Sequence, residues 1–99
     1  MLNVFDGFAD SGPDEPRRLA NVANHGFDFA EFEIAFGIDR FLTRPARPSR
    51  NGRRRFLLIG LWKAEVVVAA VISPLGSEAI SLVSVRRASI TERAAYDQA

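Results

Sequence analysis

Residues 56–85 decide the fold: Phe56-Leu-Leu-Ile-Gly-Leu-Trp62, Lys63-Ala-Glu65, Val66-Val-Val-Ala-Ala-Val-Ile72, Ser73-Pro-Leu-Gly-Ser-Glu-Ala79 and Ile80-Ser-Leu-Val-Ser-Val85. Three apolar runs rich in Val, Ile and Leu alternate with connections too short for a crossover, and short connections between successive runs favour antiparallel hairpins. The middle run, Val66–Ile72, is almost continuously apolar, which predicts a central strand covered on both faces. Trp62 closes the first run and reads as core or hairpin edge.

Outward toward the N-terminus, Thr43-Arg-Pro-Ala-Arg-Pro-Ser-Arg-Asn-Gly52 holds two Pro, an Asn-Gly pair and three Arg. Such a stretch is unsuited to a strand interior and predicts an exposed basic loop. A short strand is predicted before it, over 38–42. Phe29, Phe32 and Phe36 form an aromatic stripe on a predicted helix over 29–36, a pattern that usually marks packing. An earlier helix starts after Asp14 as N-cap, with Pro16 in the first turn. It carries Leu19, Val22 and Ala23 as its apolar face and ends at Gly26, with His25 in its last turn. Residues 2–8 read as a strand. Beyond the meander, Ser89 is placed to cap a closing helix, with Glu92 three positions on as its capping-box partner and Tyr96 as a packing residue. The expected architecture is α+β: an N-terminal strand and two helices, an antiparallel three- to four-strand meander sheet, and a C-terminal helix.

The chain has 99 residues, 47% of them apolar and 25% charged, with no Cys. That length implies one domain over 1–99. Without Cys there is no disulfide framework, thiolate zinc site or thiol nucleophile, and a reducing cytoplasm is the expected compartment. The longest apolar run falls far short of the ~20 residues a membrane helix needs, and no basic leader opens the chain. One His excludes a His-rich metal site, and no Gly-rich phosphate loop is present, so no cofactor is expected. Net charge is +1, but the two halves differ. Residues 1–39 carry eight acids against Arg17 and Arg18, a net of −6, whereas residues 40–99 carry eleven basic residues against four acids, a net of +7. Twelve of the thirteen basic residues are Arg, the side chain that forks onto phosphate, so the second half suggests an anionic partner.

Three segments in order resemble the BrnT family, the toxin half of type II toxin–antitoxin pairs. Asp14-Glu15-Pro16-Arg17-Arg18, Asn21 and His25-Gly26-Phe27-Asp28-Phe29 look like its first helix and its Asn-x-x-Lys-His-Gly-x-x-Phe signature. Gly52-Arg-Arg-Arg-Phe56 is similar to its Arg-led strand. Ile80-x-Leu82-Val83-Ser84-Val85-Arg86-Arg87-Ala88-Ser89, then Glu92-Arg93 and Tyr96, resembles its C-terminal stretch. The resemblance implies a RelE-like fold, a ribonuclease that arrests translation, an RNA substrate and a cognate DNA-binding antitoxin. It implies no membrane association, and contact with operator DNA only through the antitoxin. Arg55 and Arg86 would stabilise phosphate charge, and His25 would act as acid or base. Arg50, Arg53, Arg54 and Arg87, with Arg44 and Arg47, would track the RNA backbone.

Two departures from the family pattern stand out: Asn24 replaces the signature Lys, and Pro74-Leu75-Gly76 replaces a polar turn, with Glu78 as a substitute acid. They leave open a catalytically degenerate, partner-binding module. Direct DNA binding through the Arg44–Arg55 loop lacks an accompanying helix-turn-helix pattern. In a meander, the first and third strands run parallel. Arg55, entering one, and Arg86, leaving the other, therefore start at opposite ends of the sheet, and a shared site requires side-chain reach and twist to close the gap.

Overall fold

The computed structural model describes residues 15–76 and 79–99. The strand expected over 2–8, the Asp14 cap and Glu78 lie outside the described residues. The elements run α1 (Glu15–His25), a 3-10 turn (Phe29–Glu31), α2 (Phe32–Ala35), β1 (Phe36–Ala46), β2 (Arg55–Trp62), β3 (Val66–Leu75), β4 (Ala79–Arg87) and α3 (Ile90–Gln98). The four strands form one antiparallel sheet in the order β1-β2-β3-β4, so the expected meander is present with an additional edge strand.

The alternation of side chains sorts the sheet into two faces. Leu58, Trp62, Val68, Ala70, Ile72, Ile80, Leu82 and Val85 share a core with Phe27, Phe29, Phe32, Ala35 and Phe36. The aromatic stripe therefore packs as the sequence predicts. Phe32 and Phe36 stack at 4.8 Å, and Phe27 meets Trp62 edge-on at 5.4 Å. Burying a side chain such as Phe32 contributes about 1.5–3 kcal/mol. The opposite face is covered by α3, which packs on β2 and β3 and buries Tyr96 together with Ile59 and Ala69. Val68, Ala69 and Ala70 are consecutive and fully buried, as a strand covered on both faces requires.

Three expectations are corrected. The strand predicted over 38–42 runs from Phe36 to Ala46, and the exposed loop begins at Arg47 rather than Thr43. Among the described residues β1 is an edge strand, where one side of the backbone needs no ladder partner, and such a position tolerates Pro45. The helix predicted over 29–36 is a 3-10 turn followed by one α-turn, and Phe36 already belongs to β1.

The third correction concerns α1. Leu19 and Val22 are exposed, and the buried residue is Asn21. Its side-chain amide donates to the carbonyls of Phe27 (2.7 Å) and Val85 (2.9 Å) and accepts from the Val85 N–H (2.9 Å). One turn earlier, Arg17 donates to the Leu82 carbonyl at 3.1 Å. Among the described residues β4 is the other sheet edge, and α1 lies along it, its polar side chains satisfying backbone groups of that strand. Hydrogen bonding, rather than the apolar stripe, orients this helix.

Candidate functional site

Arg55 opens β2 opposite Ala46 of β1, and Arg86 nears the end of β4 opposite Ala69, which in turn pairs with Ile59. Arg55 and Ile59 have the same strand parity, so Arg55 and Arg86 occupy the same face, the one α3 partly covers. Four residues along β2 and two strands across separate their Cα atoms by about 13 Å lengthwise and about 10 Å laterally. The two guanidiniums are thus on one surface without being in contact.

Their electrostatic situations differ. The Arg86 guanidinium grips Glu92 of α3 with both arms, Nη1 to Oε1 at 2.8 Å and Nη2 to Oε2 at 2.9 Å. Glu92 also accepts from the Ser89 N–H at 2.8 Å, and its own N–H donates to Ser89 Oγ at 3.1 Å, completing the predicted capping box. Donation from Arg86, aided by the Ser89 N–H and opposed by burial, holds the Glu92 carboxyl down at about 2, and the same pairing raises Arg86. Arg55 makes no hydrogen bond or ion pair among the described residues.

Arg50, Arg53 and Arg54 sit at the Arg55 end of the sheet. A turn shapes their loop: the Ser49 N–H donates to the Arg53 carbonyl (3.0 Å), and the Gly52 N–H donates to the Ser49 carbonyl (2.9 Å). Gly52 takes the left-handed conformation that favours glycine there. Arg54 lies over the Phe56 ring at 5.3 Å, and its carbonyl accepts from Ser73 Oγ. Arg44, Arg47, Arg50 and Arg53 are exposed and without ion pairs among the described residues. Together with Arg54 and Arg55 they put six arginines toward one end of the sheet.

His25 lies elsewhere. It is exposed in the last turn of α1, which closes with the Gly26 N–H on the Val22 carbonyl at 2.9 Å and Gly26 left-handed. One helical turn, about 6 Å, past Asn21 places it level with the end of β4. That is the end of the sheet holding Arg86 and Arg87, not the end holding Arg55. The three residues expected to act together are distributed: His25, Arg86 and Arg87 at one end, Arg55 with Arg50, Arg53 and Arg54 at the other.

The sequence reading missed two cations that organise the site. Arg18 bridges Glu15 and Asp28, lowering Asp28 mainly through its own donated hydrogen bond and raising Arg18 in turn. Arg40 lies over the Tyr96 ring at 4.1 Å and donates to the Tyr96 and Ala99 carbonyls, holding the C-terminal end of α3 to β1. Glu15 lies one helical turn from Arg18, but no local signal marks the Asp28, Tyr96 or Ala99 contacts, because those partners are ten or more residues away.

A family model for the ribonuclease toxin BrnT of type II toxin–antitoxin systems matches residues 14–92. Among solved structures, the 1.1 Å crystal structure of the Brucella abortus ribonuclease toxin BrnT resembles this one with a TM-score of 0.56 and 35% sequence identity. The match covers 77% of this chain and 91% of that one. Comparison with curated proteins found no match. Among the described residues, no helix is long and apolar enough to cross a membrane.

Proposed function

The chain belongs to the BrnT family of ribonuclease toxins of type II toxin–antitoxin systems, and on that premise we propose that it cuts RNA in the cytoplasm, arrests translation and is silenced by a cognate antitoxin. In this reading residues 1–99 act as one domain in the RelE-like group. The antitoxin binds DNA, and the toxin reaches operator DNA only through it. The observation that carries the reading is the family match across most of the chain, joined to 35% identity with a ribonuclease toxin of like fold. The arginines at the Arg55 end of the sheet, without ion pairs among the described residues, support it chemically, since clustered guanidiniums suit a polyanion.

The proposed chemistry needs no cofactor. A base takes the proton of a ribose 2′-hydroxyl, O2′ attacks the adjacent phosphorus, and the P–O5′ bond breaks as O5′ receives a proton. The products are a 2′,3′-cyclic phosphate and a 5′-hydroxyl. Arg55 and Arg86, on one face but toward opposite ends of the sheet, are the proposed stabilisers of charge on successive phosphates of the bound strand, and His25 is the proposed proton carrier at the Arg86 end. Arg50, Arg53, Arg54 and Arg87 follow the backbone. With Arg86 already forked onto Glu92, it offers a phosphate only its remaining N–H groups, and Arg55 is the less encumbered of the two.

The test is RNA cleavage by the purified chain in the presence of EDTA, for the parent and for Arg55→Ala, Arg86→Ala and His25→Ala, with folding checked by circular dichroism. Loss of cutting in folded Arg55→Ala, with EDTA harmless to the parent, is the expected result. Full activity in all three variants removes the site assignment. Asn24 and the Pro74–Gly76 turn favour a second reading, a binding module without catalysis. That reading is selected if expression of the chain alone causes no growth arrest while the antitoxin still binds tightly.

A further inference from the structure

Beyond Arg87 the last ladder contact is the Ala88 N–H on the Val67 carbonyl (3.0 Å), after which the chain leaves the sheet for α3. The divergence opens a cleft of about 430 Å³ lined by Glu65, Val66, Val67, Arg87, Ala88 and Arg93. Both walls are held in place. On one side the β2–β3 connection, residues 63–65, is a tight turn with Lys63 and Ala64 at positive φ, closed by the Glu65 N–H on the Trp62 carbonyl (3.0 Å). The Lys63 N–H ties that turn to the Ala35 carbonyl at 2.7 Å. On the other side, the capping box and the Arg86–Glu92 fork fix the corner from which Arg87 and Arg93 project.

The charges within this fixed frame are unspent. The Arg87 and Arg93 guanidiniums are exposed and make no hydrogen bond or ion pair among the described residues, and neither does the Glu65 carboxylate beside them. Two guanidiniums against one carboxylate leave the cleft net cationic. Forked N–H donors match the oxygens of a phosphate. Val66, Val67 and Ala88 add an apolar wall, and the volume suits a ligand of nucleotide size. Glu65 can accept a hydrogen bond from a ribose hydroxyl or a base amine, donors that a nucleotide carries and an acidic side chain lacks.

We propose that this cleft is a subsite for one nucleotide of an RNA chain, with Arg87 and Arg93 holding its phosphate and Glu65 accepting from its sugar or base. The proposal rests on the RNA-cleaving reading for its biological ligand, and it assigns binding roles to Glu65 and Arg93 in addition to Arg87.

Isotope-labelled full-length chain titrated with 5′-AMP, adenosine and N-acetylglutamate tests it by NMR. AMP should shift the Val66, Val67 and Ala88 amides, with adenosine and N-acetylglutamate weaker by about tenfold or more, the loss expected when a charge-assisted phosphate contact is absent. Arg87→Ala and Arg93→Ala should each weaken AMP about tenfold. Either change should lower the salt slope of RNA-oligonucleotide binding by about one. Both side chains are exposed and unpartnered, so a dispersed spectrum is expected for each variant and confirms its fold. Amides that do not respond to AMP, AMP binding that survives the double replacement, or N-acetylglutamate binding as tightly as AMP overturns the subsite; the last outcome would assign the cleft to an acidic protein partner. AMP binding that needs both arginines, in a chain that cuts no RNA, leaves the subsite standing and refutes the ribonuclease reading. Unchanged RNA cutting and salt slope in the double variant do the reverse.

Discussion

Replacing Glu92 by Gln removes one charge while keeping the length of the side chain and an oxygen that can still accept from the Ser89 N–H. In the parent, Glu92 is gripped by both arms of Arg86 and its carboxyl is held at about 2, against an ordinary 4.5. A carboxyl with a depressed folded-state pKa contributes stability above its unfolded value and loses that contribution as pH falls toward the folded one. The window is therefore from about pH 4.5 down to about pH 2. At about 1.4 kcal/mol per pH unit the full displacement corresponds to roughly 3 kcal/mol. The Arg86 side chain is 37% exposed, so solvent screening reduces this to about 1–2 kcal/mol.

Urea unfolding of the parent and Glu92→Gln at several pH values between 2.5 and 7 (range set by that window) measures the difference directly. At neutral pH the variant should unfold at about 1 M lower urea, taking a slope of about 1.5 kcal/mol per molar. The gap should narrow steadily as the medium is acidified. A gap that is constant with pH would show that the charge of Glu92 contributes nothing through Arg86. A coupling near zero in the cycle with Arg86→Met would refute the same reasoning.

Asn21→Ala strands two carbonyls and one N–H at a buried position, and at about 1–3 kcal/mol for each unsatisfied group it should cost several kcal/mol, read as a fall in the urea midpoint. Loss of less than about 1 kcal/mol would mean that water replaces the amide and that α1 is not fixed by it. Gly60→Ala should destabilise by about 1–3 kcal/mol through overpacking. Its Cβ would lie 2.8 Å from Phe36 Cζ and 3.1 Å from Phe41 Cβ. A thermal melt unchanged from the parent would show that the Phe36 ring yields freely.

The features legible in the sequence are those written in local pattern. Strands joined by three-residue connections make up the β2–β3–β4 meander, because neighbouring strands need only a tight turn to meet. The spacing of Phe29, Phe32 and Phe36 identifies the aromatic core, and Ser89 with Glu92 fixes the start of α3, since a capping box closes within three residues. The BrnT resemblance is likewise carried by three linear segments. The arginine excess of the second half is likewise visible at once in the composition.

Only the tertiary structure decided which side chains those patterns serve. The apolar stripe of α1 predicts Leu19 and Val22 inside, yet the free backbone of edge strand β4 makes Asn21 the buried residue. Pro45 breaks a strand interior but not an edge, and edge position depends on the order of the whole sheet. Composition treats twelve arginines alike, whereas the fold spends Arg86 on Glu92 and Arg40 on the end of α3, and leaves Arg55, Arg87 and Arg93 without an ion pair among the described residues. An ion pair or a shared cleft depends on distances between segments far apart in the chain, and those distances exist only once the sheet and its helices have packed.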